Sequence, residues 1–294
     1  MAEGLQASSR TAALTAAARA FHREEPPPWV FDDPLALGLA GEDGERLLQR
    51  LRTGMPRESA LAFSRWVAVR ARYVEDVVEA AAAGGVDQYV ILGAGLDSFA
   101  YRWGDLVGRL RVFEVDHPAT QSSKRGRLHE LGVPIPHGLV FVAVDFERQG
   151  LRTELVASGF DFGRPAVVSW IGVTMYLSQE AIDATLGVLA GCAAGSCVVL
   201  TYNQPRSALS GSSAEISATF AELAAELGER FVSLFTPGEI EAVMVAHGFV
   251  DIAHFGADEA LAAYFPKQPD TFLAGAQRIL SGMVAGGTVE ASRV

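Results

Sequence analysis

Cysteine is scarce in this sequence: Cys192 and Cys197 are the only two in 294 residues. Their C-x4-C spacing matches no zinc-binding pattern, so the sequence predicts no metal site. Cys197 also opens an apolar run. We therefore interpret both cysteines as buried free thiols of a cytoplasmic protein, a compartment in which disulfides are rare.

Long apolar runs are missing as well. No stretch approaches the roughly 18 consecutive apolar residues of a membrane-spanning helix. The Ala-rich N-terminus is interrupted by Arg10, Arg19, His22 and Arg23. It also lacks the apolar core and small-residue cleavage site of a secretion signal. We therefore predict a cytoplasmic protein that does not associate with membranes.

Basic residues are outnumbered by acidic ones, 24 Lys and Arg against 35 Asp and Glu, which gives a formal net charge of −11. Because this charge repels phosphates, we expect no nucleic-acid partner. Hydrophobic residues make up 49% of the chain and charged residues 20%. These fractions are typical of an ordered globular protein, and the length suffices for a sizeable core.

The first 85 residues are predicted to be helical. Ala and Leu dominate residues 1–25, and the prolines at 26–28 end that helix because they remove backbone donors. Two more helices are predicted over residues 36–52 and 58–83, the second ending at Gly84-Gly85. We interpret residues 1–85 as a helical cap over the strand ends of the remaining chain, and we expect this cap to exclude water.

Short apolar runs and helical segments alternate from residue 86 onward. The runs cover residues 89–92, 111–115, 139–144, 166–169 and 196–201. Helices are predicted over 179–190, 214–227 and 236–247, the last beginning with the capping pattern of Thr236 and Glu239, and a closing strand over 249–255. This pattern indicates an α/β domain, residues 1–294, with a mostly parallel Rossmann-like sheet and helices on both faces.

Residues suited to an adenosine ligand follow the first three predicted strands. Gly93, Ala94, Gly95 and Asp97 form a turn after the first strand, where a glycine-rich backbone approaches a ligand closely. Acidic and aromatic residues end the second and third strands: Glu114, Asp116, Asp145 and Phe146. In such sheets an acid after the second strand binds ribose, so Asp116 is the first choice for that role and Glu114 the second. Asp145 is expected at the adenine amino group, and Phe146 over the ring.

Two cofactors fit such a site, a dinucleotide or S-adenosylmethionine. The dinucleotide fingerprint needs a third glycine where this chain has Ser98, and Asp97 would face the phosphates. S-adenosylmethionine carries a sulfonium cation that suits acidic surroundings, and its carboxylate needs a cation. Arg70 or Arg72 can provide one, because guanidinium groups pair with carboxylates in bidentate fashion. The residues therefore favour S-adenosylmethionine.

The same residues resemble the leucine carboxyl methyltransferase family, in its bacterial branch of S-adenosylmethionine-dependent methyltransferases that includes polyketide carboxyl O-methyltransferases. The matching segments run in order along most of the chain: Ser9-Arg10-Thr11-Ala12, Phe31-Asp32-Asp33-Pro34, Arg70, residues 91–98 with Tyr101-Arg102, residues 113–118 and residues 172–177.

The resemblance implies a class I methyltransferase fold whose last strand is antiparallel. It also implies that Arg70 and Gly93 hold the methionine part, Asp116 the ribose, and Asp145 with Phe146 the adenine. The chain departs from the family pattern at Ala71 and Glu75, where the family has Thr and Asp. It departs also at Ile171, where many members have a glutamate thought to face the cofactor.

The acceptor is predicted to be a carboxylate or hydroxyl of a small molecule, in the biosynthesis of specialised metabolites. A carboxylate needs no base, whereas a hydroxyl needs one, and the candidate catalytic residues are His117, Tyr176 and Tyr202. Trp170 is a candidate cofactor contact, with core packing as its alternative role. Two other functions stay open at this point: a nicotinamide-dependent oxidoreductase and a non-catalytic protein that binds S-adenosylmethionine.

Overall fold

A computed structural model describes residues 9–145, 150–268 and 271–286 of the chain. A seven-stranded sheet forms its centre. The strands are β1 (Gln88–Leu92), β2 (Arg111–Asp116), β3 (Leu139–Ala143), β4 (Val167–Trp170), β5 (Cys197–Asn203), β6 (Phe249–Phe255) and β7 (Gln277–Val284). Their order is β3-β2-β1-β4-β5-β7-β6. The first five strands pair in parallel, and β7 pairs antiparallel with both β5 and β6.

Both faces of the sheet are covered, which explains the short apolar strands. Along β1, Val90 and Leu92 pack into one apolar cluster, whereas Tyr89 and Ile91 pack into the cluster on the opposite face. All five residues of β1 are buried. Because β1 lies between β2 and β4, the strand order reverses beside it, and in such sheets ligands bind outside the carboxyl ends of the strands at this reversal.

The helices of the described ranges lie around this sheet. They are α1 (Arg10–His22), α2 (Ala36–Thr53), α3 (Arg57–Ala83), α4 (Phe99–Arg102), α5 (Gly104–Val107), α6 (Pro118–Glu130), α7 (Leu151–Ala157), α8 (Gln179–Leu189), α9 (Gly211–Glu226), α10 (Pro237–Ala246) and α11 (Ala257–Tyr264). No helix in these ranges is long and apolar enough to cross a membrane.

The first three helices share an apolar cluster with α9. The buried face of α1 consists mainly of alanines, which lets the helix lie close to its neighbours. Phe63 of α3 stacks on Phe220 of α9, with ring centroids 3.8 Å apart. Residues far apart in the sequence therefore form one layer of helices over part of the sheet.

Most predicted elements agree with the structure. The predicted strands and the helices over residues 36–52, 58–83, 179–190, 214–227 and 236–247 are confirmed within a few residues. The capping box of Thr236 and Glu239 is present, and both cysteines are free, with Cys192 buried and Cys197 half-buried. The first helix begins at Arg10, with Ser9 as its N-cap.

The assignment of residues 249–255 as the closing strand was wrong, because β7 follows it and inserts between β5 and β6. The sequence of β7 contains Ser281 and Gly282, which weaken its strand pattern. Gly282 packs closely against α10, since a Cβ atom there would lie 2.9 Å from Met244 Cε. Long-range pairing, which no local pattern reveals, stabilises this strand.

Leu280 tests the contribution of β7 to stability. It is fully buried and pairs with Leu200 on one side and His254 on the other. Leu280→Ala should lower the free energy of unfolding by about 3 kcal/mol, because it removes buried carbon and leaves a cavity. The matched variant Val250→Ala, at a 43% exposed position of edge strand β6, should cost about 0.5 kcal/mol or less. Urea unfolding measures both values, and similar losses would contradict the central position of β7.

Candidate active site

A cavity of about 350 Å³ lies at the carboxyl ends of the parallel strands. Its floor consists of the residues that follow β1, β2, β4 and β5, together with the start of β7. Helices α1, α3 and α9 contribute its walls. The sheet thus provides a set of strand ends, and the helical layer covers them.

The turn after β1 requires glycine at two positions. Gly93 has φ +66°, and a Cβ atom there would lie 2.3 Å from Val173 Cγ2. Gly95 has φ +49°, and its Cβ position lies 3.1 Å from the Cβ of Ala12 in α1. Residues that carry a Cβ atom rarely adopt these backbone conformations. The turn therefore passes closely between the segment that follows β4 and helix α1.

Asp116 at the end of β2 is joined to this turn. Its two carboxylate oxygens accept hydrogen bonds from the backbone N–H groups of Gly95 and His117. Burial raises the pKa of Asp116, and these two hydrogen bonds offset part of that rise. The carboxylate is thus held at the strand tip, in the cavity wall.

Arg70 of α3 is a buried guanidinium group in the cavity wall. Its Nη1 donates to Gln277 Oε1 over 2.7 Å, and it forms no ion pair with any carboxylate in the described ranges. Gln277 in turn donates from Nε2 to Asn203 Oδ1. Burial lowers the pKa of Arg70 to about 10, so the group stays charged at neutral pH. An unpaired buried cation in a cavity is a binding site for an anion.

Asp33 joins the cap to the turn after β1. It is 1% exposed, and its carboxylate accepts hydrogen bonds from Arg19 Nε at 2.8 Å and from Ser98 Oγ at 2.7 Å. Arg19 also donates to the backbone carbonyl of Leu96 over 2.7 Å. One buried carboxylate therefore connects helix α1, its own loop and the turn that faces the cavity.

A second guanidinium group extends this network toward α3. Arg102 donates from Nε to Ser98 Oγ over 2.9 Å and forms an ion pair with Glu75. Burial alone would raise the pKa of Asp33, but the charges of Arg19 and Arg102 and the hydrogen bond from Ser98 lower it overall. Two residues of the sequence signature, Ser98 and Arg102, thus position the turn.

The part of the cavity beneath α9 is largely apolar. It is lined by Phe63, Val67, Met175, Ile216, Phe220, Ala224 and Phe231. Three polar side chains, Thr11, Tyr176 and Glu229, line the same end. Burial raises the pKa of Tyr176 to about 12, so this phenol is neutral near pH 7. We refer to this region as the apolar half of the cavity.

The structure brings eight of the predicted site residues into the cavity wall: Arg70, Gly93, Ala94, Gly95, Asp97, Asp116, His117 and Tyr176. Glu114, Asp145, Trp170 and Tyr202 do not line it. Phe146 lies outside the described residues.

The four residues outside the wall have other surroundings. Glu114 forms a buried ion pair with Lys124 of α6. Trp170 and Tyr202 point into the apolar cluster on the other side of the sheet, where the Tyr202 hydroxyl lies 2.9 Å from His254 Nδ1. Asp145 is half-buried next to the strand end. Strand alternation explains Tyr202: its neighbour Asn203 points into the cavity instead.

Several residues of the site were not predicted from the sequence. Gln277 lies on the unpredicted strand β7, and Glu229 follows α9 in a segment without a regular pattern. Asp33 belongs to a segment of the family resemblance, but nothing local showed that its carboxylate is buried against Arg19 and Ser98. A run of two acids before Pro34, followed by a helix, was the one available signal.

The chain is similar to known proteins over most of its length. The model of the leucine carboxyl methyltransferase family matches residues 12–190. YktD of Bacillus subtilis (strain 168), named as an S-adenosyl-L-methionine-dependent methyltransferase, is 32% identical over 91% of this chain and 94% of its own length. A protein of Mycobacterium avium (strain 104) with the same designation is 37% identical over 63% of this chain and 60% of its own length.

The fold also has a solved counterpart. A crystal structure from Thermobifida fusca, assigned as a methyltransferase, superposes with a TM-score of 0.59 at 21% sequence identity. The superposition covers 95% of this chain and 96% of that protein. The predicted class I methyltransferase sheet, with its antiparallel last strand, is confirmed.

The buried Asp33 carboxylate gives a test of the network. Asp33→Asn should lower the free energy of unfolding at pH 7 by about 3 kcal/mol, because Arg19 stays buried without its counter-charge. The pKa of Asp33 is lowered from its ordinary value of 3.8, so the ionised carboxylate stabilises the fold above that pH. Its contribution is lost as the pH falls through the lower folded pKa. The difference between wild type and variant should therefore shrink below about pH 4.

Urea titrations at a series of pH values measure this effect. Asp32→Asn is the matched control, because Asp32 is exposed and pairs with a partly exposed Arg23. The free energy of unfolding of that variant should fall by less than about 1 kcal/mol at any pH. Equal losses of unfolding free energy in the two variants would contradict the assigned role of Asp33. So would a difference between wild type and Asp33→Asn that grows as the pH falls.

Proposed function

Because this chain belongs to the leucine carboxyl methyltransferase family and is an S-adenosylmethionine-dependent methyltransferase, we propose that it methylates an oxygen atom of a small molecule. The acceptor group is a carboxylate or a hydroxyl, and the proposed setting is specialised-metabolite biosynthesis. The observation that carries this proposal is that one cavity has a polar half at the strand ends and an apolar half under α9.

The residues present fit S-adenosylmethionine. In our proposal Arg70 binds its carboxylate, since this guanidinium group is buried, charged and without a carboxylate partner in the described ranges. Asp116 accepts hydrogen bonds from the ribose hydroxyls, and the backbone at Gly93 and Gly95 lies along the methionine part. When bound, the cofactor supplies a methyl group that its sulfonium already activates for displacement.

The charge of the cavity suits a cationic donor. Two guanidinium groups, Arg19 and Arg70, line it against four carboxylates, those of Glu75, Asp97, Asp116 and Glu229. Arg19 is already paired with Asp33. The remaining contribution of the protein is to align donor and acceptor and to exclude water, which together account for much of the rate of such transfers.

The apolar half supports a small acceptor. It is enclosed by α1, α3 and α9, and its wall is made of aromatic and aliphatic side chains. Such a pocket binds a compact apolar body and offers polar contacts at one end, as Tyr176 does here. We therefore propose a small molecule as the methyl acceptor.

A pair of ligands tests the role proposed for Arg70. S-adenosylhomocysteine carries the amino-acid carboxylate, whereas 5′-methylthioadenosine has the same adenosine without it. Arg70→Gln should weaken binding of the first by about tenfold to a hundredfold, because a charge-assisted pair is lost, and leave the second within about threefold. Isothermal titration calorimetry measures both.

The neighbouring variant Arg72→Gln is the control for this experiment. Arg72 lies on the same helix, but it is partly exposed and paired with Asp76. It should leave both affinities unchanged. Two results would contradict the role proposed for Arg70. One is an equal loss of affinity for both ligands in Arg70→Gln, and the other is weaker binding of S-adenosylhomocysteine by Arg72→Gln.

Methyl transfer itself is tested with a labelled donor. Incubation with methyl-labelled S-adenosylmethionine and a panel of aromatic acids, phenols, amines and activated-methylene compounds should label acids as base-labile esters or phenols as base-stable ethers. Label on nitrogen or carbon, or on no compound with an oxygen acceptor, would contradict O-methyl transfer.

A further inference from the structure

Glu229 is a carboxylate in the apolar half of the cavity, and no cation pairs with it in the described ranges. Its partners are all on helix α1: Oε1 accepts from Ser9 Oγ at 2.9 Å and from the N–H of Thr11, and Oε2 accepts from the Thr11 hydroxyl. A carboxylate has about four acceptor positions, so these three bonds leave about one unused.

The position of Glu229 is fixed by the segment that follows it. Val232 donates its N–H to the Met175 carbonyl over 2.7 Å, and Ser233 donates its hydroxyl to the Leu177 carbonyl over 2.6 Å. The ring of Phe231 lies 5.7 Å from that of Tyr176. The carboxylate is therefore held between the cap helix and the turn after β4, beside the aromatic wall.

Cations do not compensate for Glu229 in the described part of the cavity. Arg19 is engaged by Asp33 and the Leu96 carbonyl, and the proposed donor site uses Arg70. His117 lies at the end of β2, next to Asp116, and Arg230 is exposed and does not line the cavity. An acceptor carboxylate would therefore enter an apolar region that already holds the negative charge of Glu229, and no side-chain cation of the described residues is free there to pair with it.

We propose that Glu229 selects a neutral hydroxyl acceptor over a carboxylate and acts as its general base, an inference that rests on the proposed O-methyl transfer. The acceptor O–H donates to the unused position of the Glu229 carboxylate. The acceptor oxygen then forms a bond to the methyl carbon while the carbon–sulfur bond breaks and its electron pair stays on sulfur. The acceptor proton moves to Glu229, so charge and atoms balance.

A purely structural role for Glu229 makes a different prediction. If the carboxylate only joins the cap to the segment after α9, its loss and the loss of its Thr11 partner should have the same effect. If it selects the acceptor, the negative charge is what matters. Thr11→Val removes the hydroxyl donor but keeps that charge, whereas Glu229→Gln removes the charge but keeps an oxygen that accepts hydrogen bonds.

The test uses two acceptor analogues with the same body, 2-naphthol and 2-naphthoate, on full-length protein saturated with S-adenosylhomocysteine. Calorimetry gives the ratio of their dissociation constants. Wild type and Thr11→Val should favour the naphthol by about tenfold or more, and Glu229→Gln should bring the ratio within about threefold by strengthening naphthoate binding. The affinity for S-adenosylhomocysteine should stay within about threefold in all three proteins, which shows that the site is intact.

Three results would overturn the inference: tighter naphthoate binding by wild type, a ratio that Glu229→Gln leaves unchanged, or no binding of either analogue. If the ratio of the two dissociation constants narrows as much in Thr11→Val as in Glu229→Gln, the role of Glu229 is structural. That result would overturn the inference as well.

Turnover separates this inference from the function on which it rests. With a hydroxyl acceptor from the labelled panel, Glu229→Gln should lower kcat by about a hundredfold, within the usual range for loss of a general base, and change KM less. Glu226→Gln, three residues earlier and paired with an exposed Arg50, should keep the wild-type kcat. Methyl esters as the sole products would overturn the assignment of Glu229 and leave O-methyl transfer intact. No O-methylated product would overturn both.

Discussion

The buried carboxylate of Asp33 is the interaction on which the rest of the site depends. It is surrounded by an arginine from the cap, a serine from the turn after β1 and, at 3.9 Å, the Nε of Arg102. Placing these charges in the interior is costly unless each has its partner in the correct geometry. The network therefore favours one arrangement of cap and sheet, and it disfavours arrangements in which α1 is displaced.

The Asp33 network shapes the cavity because helix α1 contacts the backbone of the turn after β1. Arg19 holds the carbonyl of Leu96, and Ala12 of the same helix lies against Gly95. Two residues later in the turn, Asp97 accepts from the N–H of Phe99 and fixes the start of α4. The peptide groups that face the cavity are thus positioned from outside by the cap.

Local patterns in the sequence predicted the sheet and most helices, because doubly buried strands and capped helices leave strong signals. The glycine turn and the acid at the tip of β2 were also readable, and the structure brings Gly93, Asp116 and Arg70 to one cavity. Side-chain direction was harder to predict. Glu114 shares strand parity with Asp116, but it meets Lys124 of α6, a partner that only the packed helix reveals.

Long-range contacts account for the remaining differences. Strand β7 depends on pairing with β5 and β6, and Glu229 reaches the cavity through contacts with residues more than two hundred positions earlier. No periodicity encodes such pairs. Strand alternation alone would have separated Tyr202 from Asn203, but both faces of this sheet are covered, so alternation did not indicate which face held the cavity.

The two halves of the cavity are built from different parts of the fold. The polar half is made of strand ends and of the turn that Asp33 fixes. A substitution there therefore disturbs the charge network and the sheet together. The apolar half is made of α9 and the segment after it, which contact the core through Met175 and Leu177 carbonyls and through apolar packing. Ile171 puts an aliphatic side chain at the end of β4, where the family resemblance leads one to expect a glutamate. The Glu229 carboxylate lies instead in the apolar half, on the segment after α9, where it accepts hydrogen bonds from Ser9 and Thr11. The apolar half is therefore built largely from residues outside the strands, where the sheet imposes the fewest constraints.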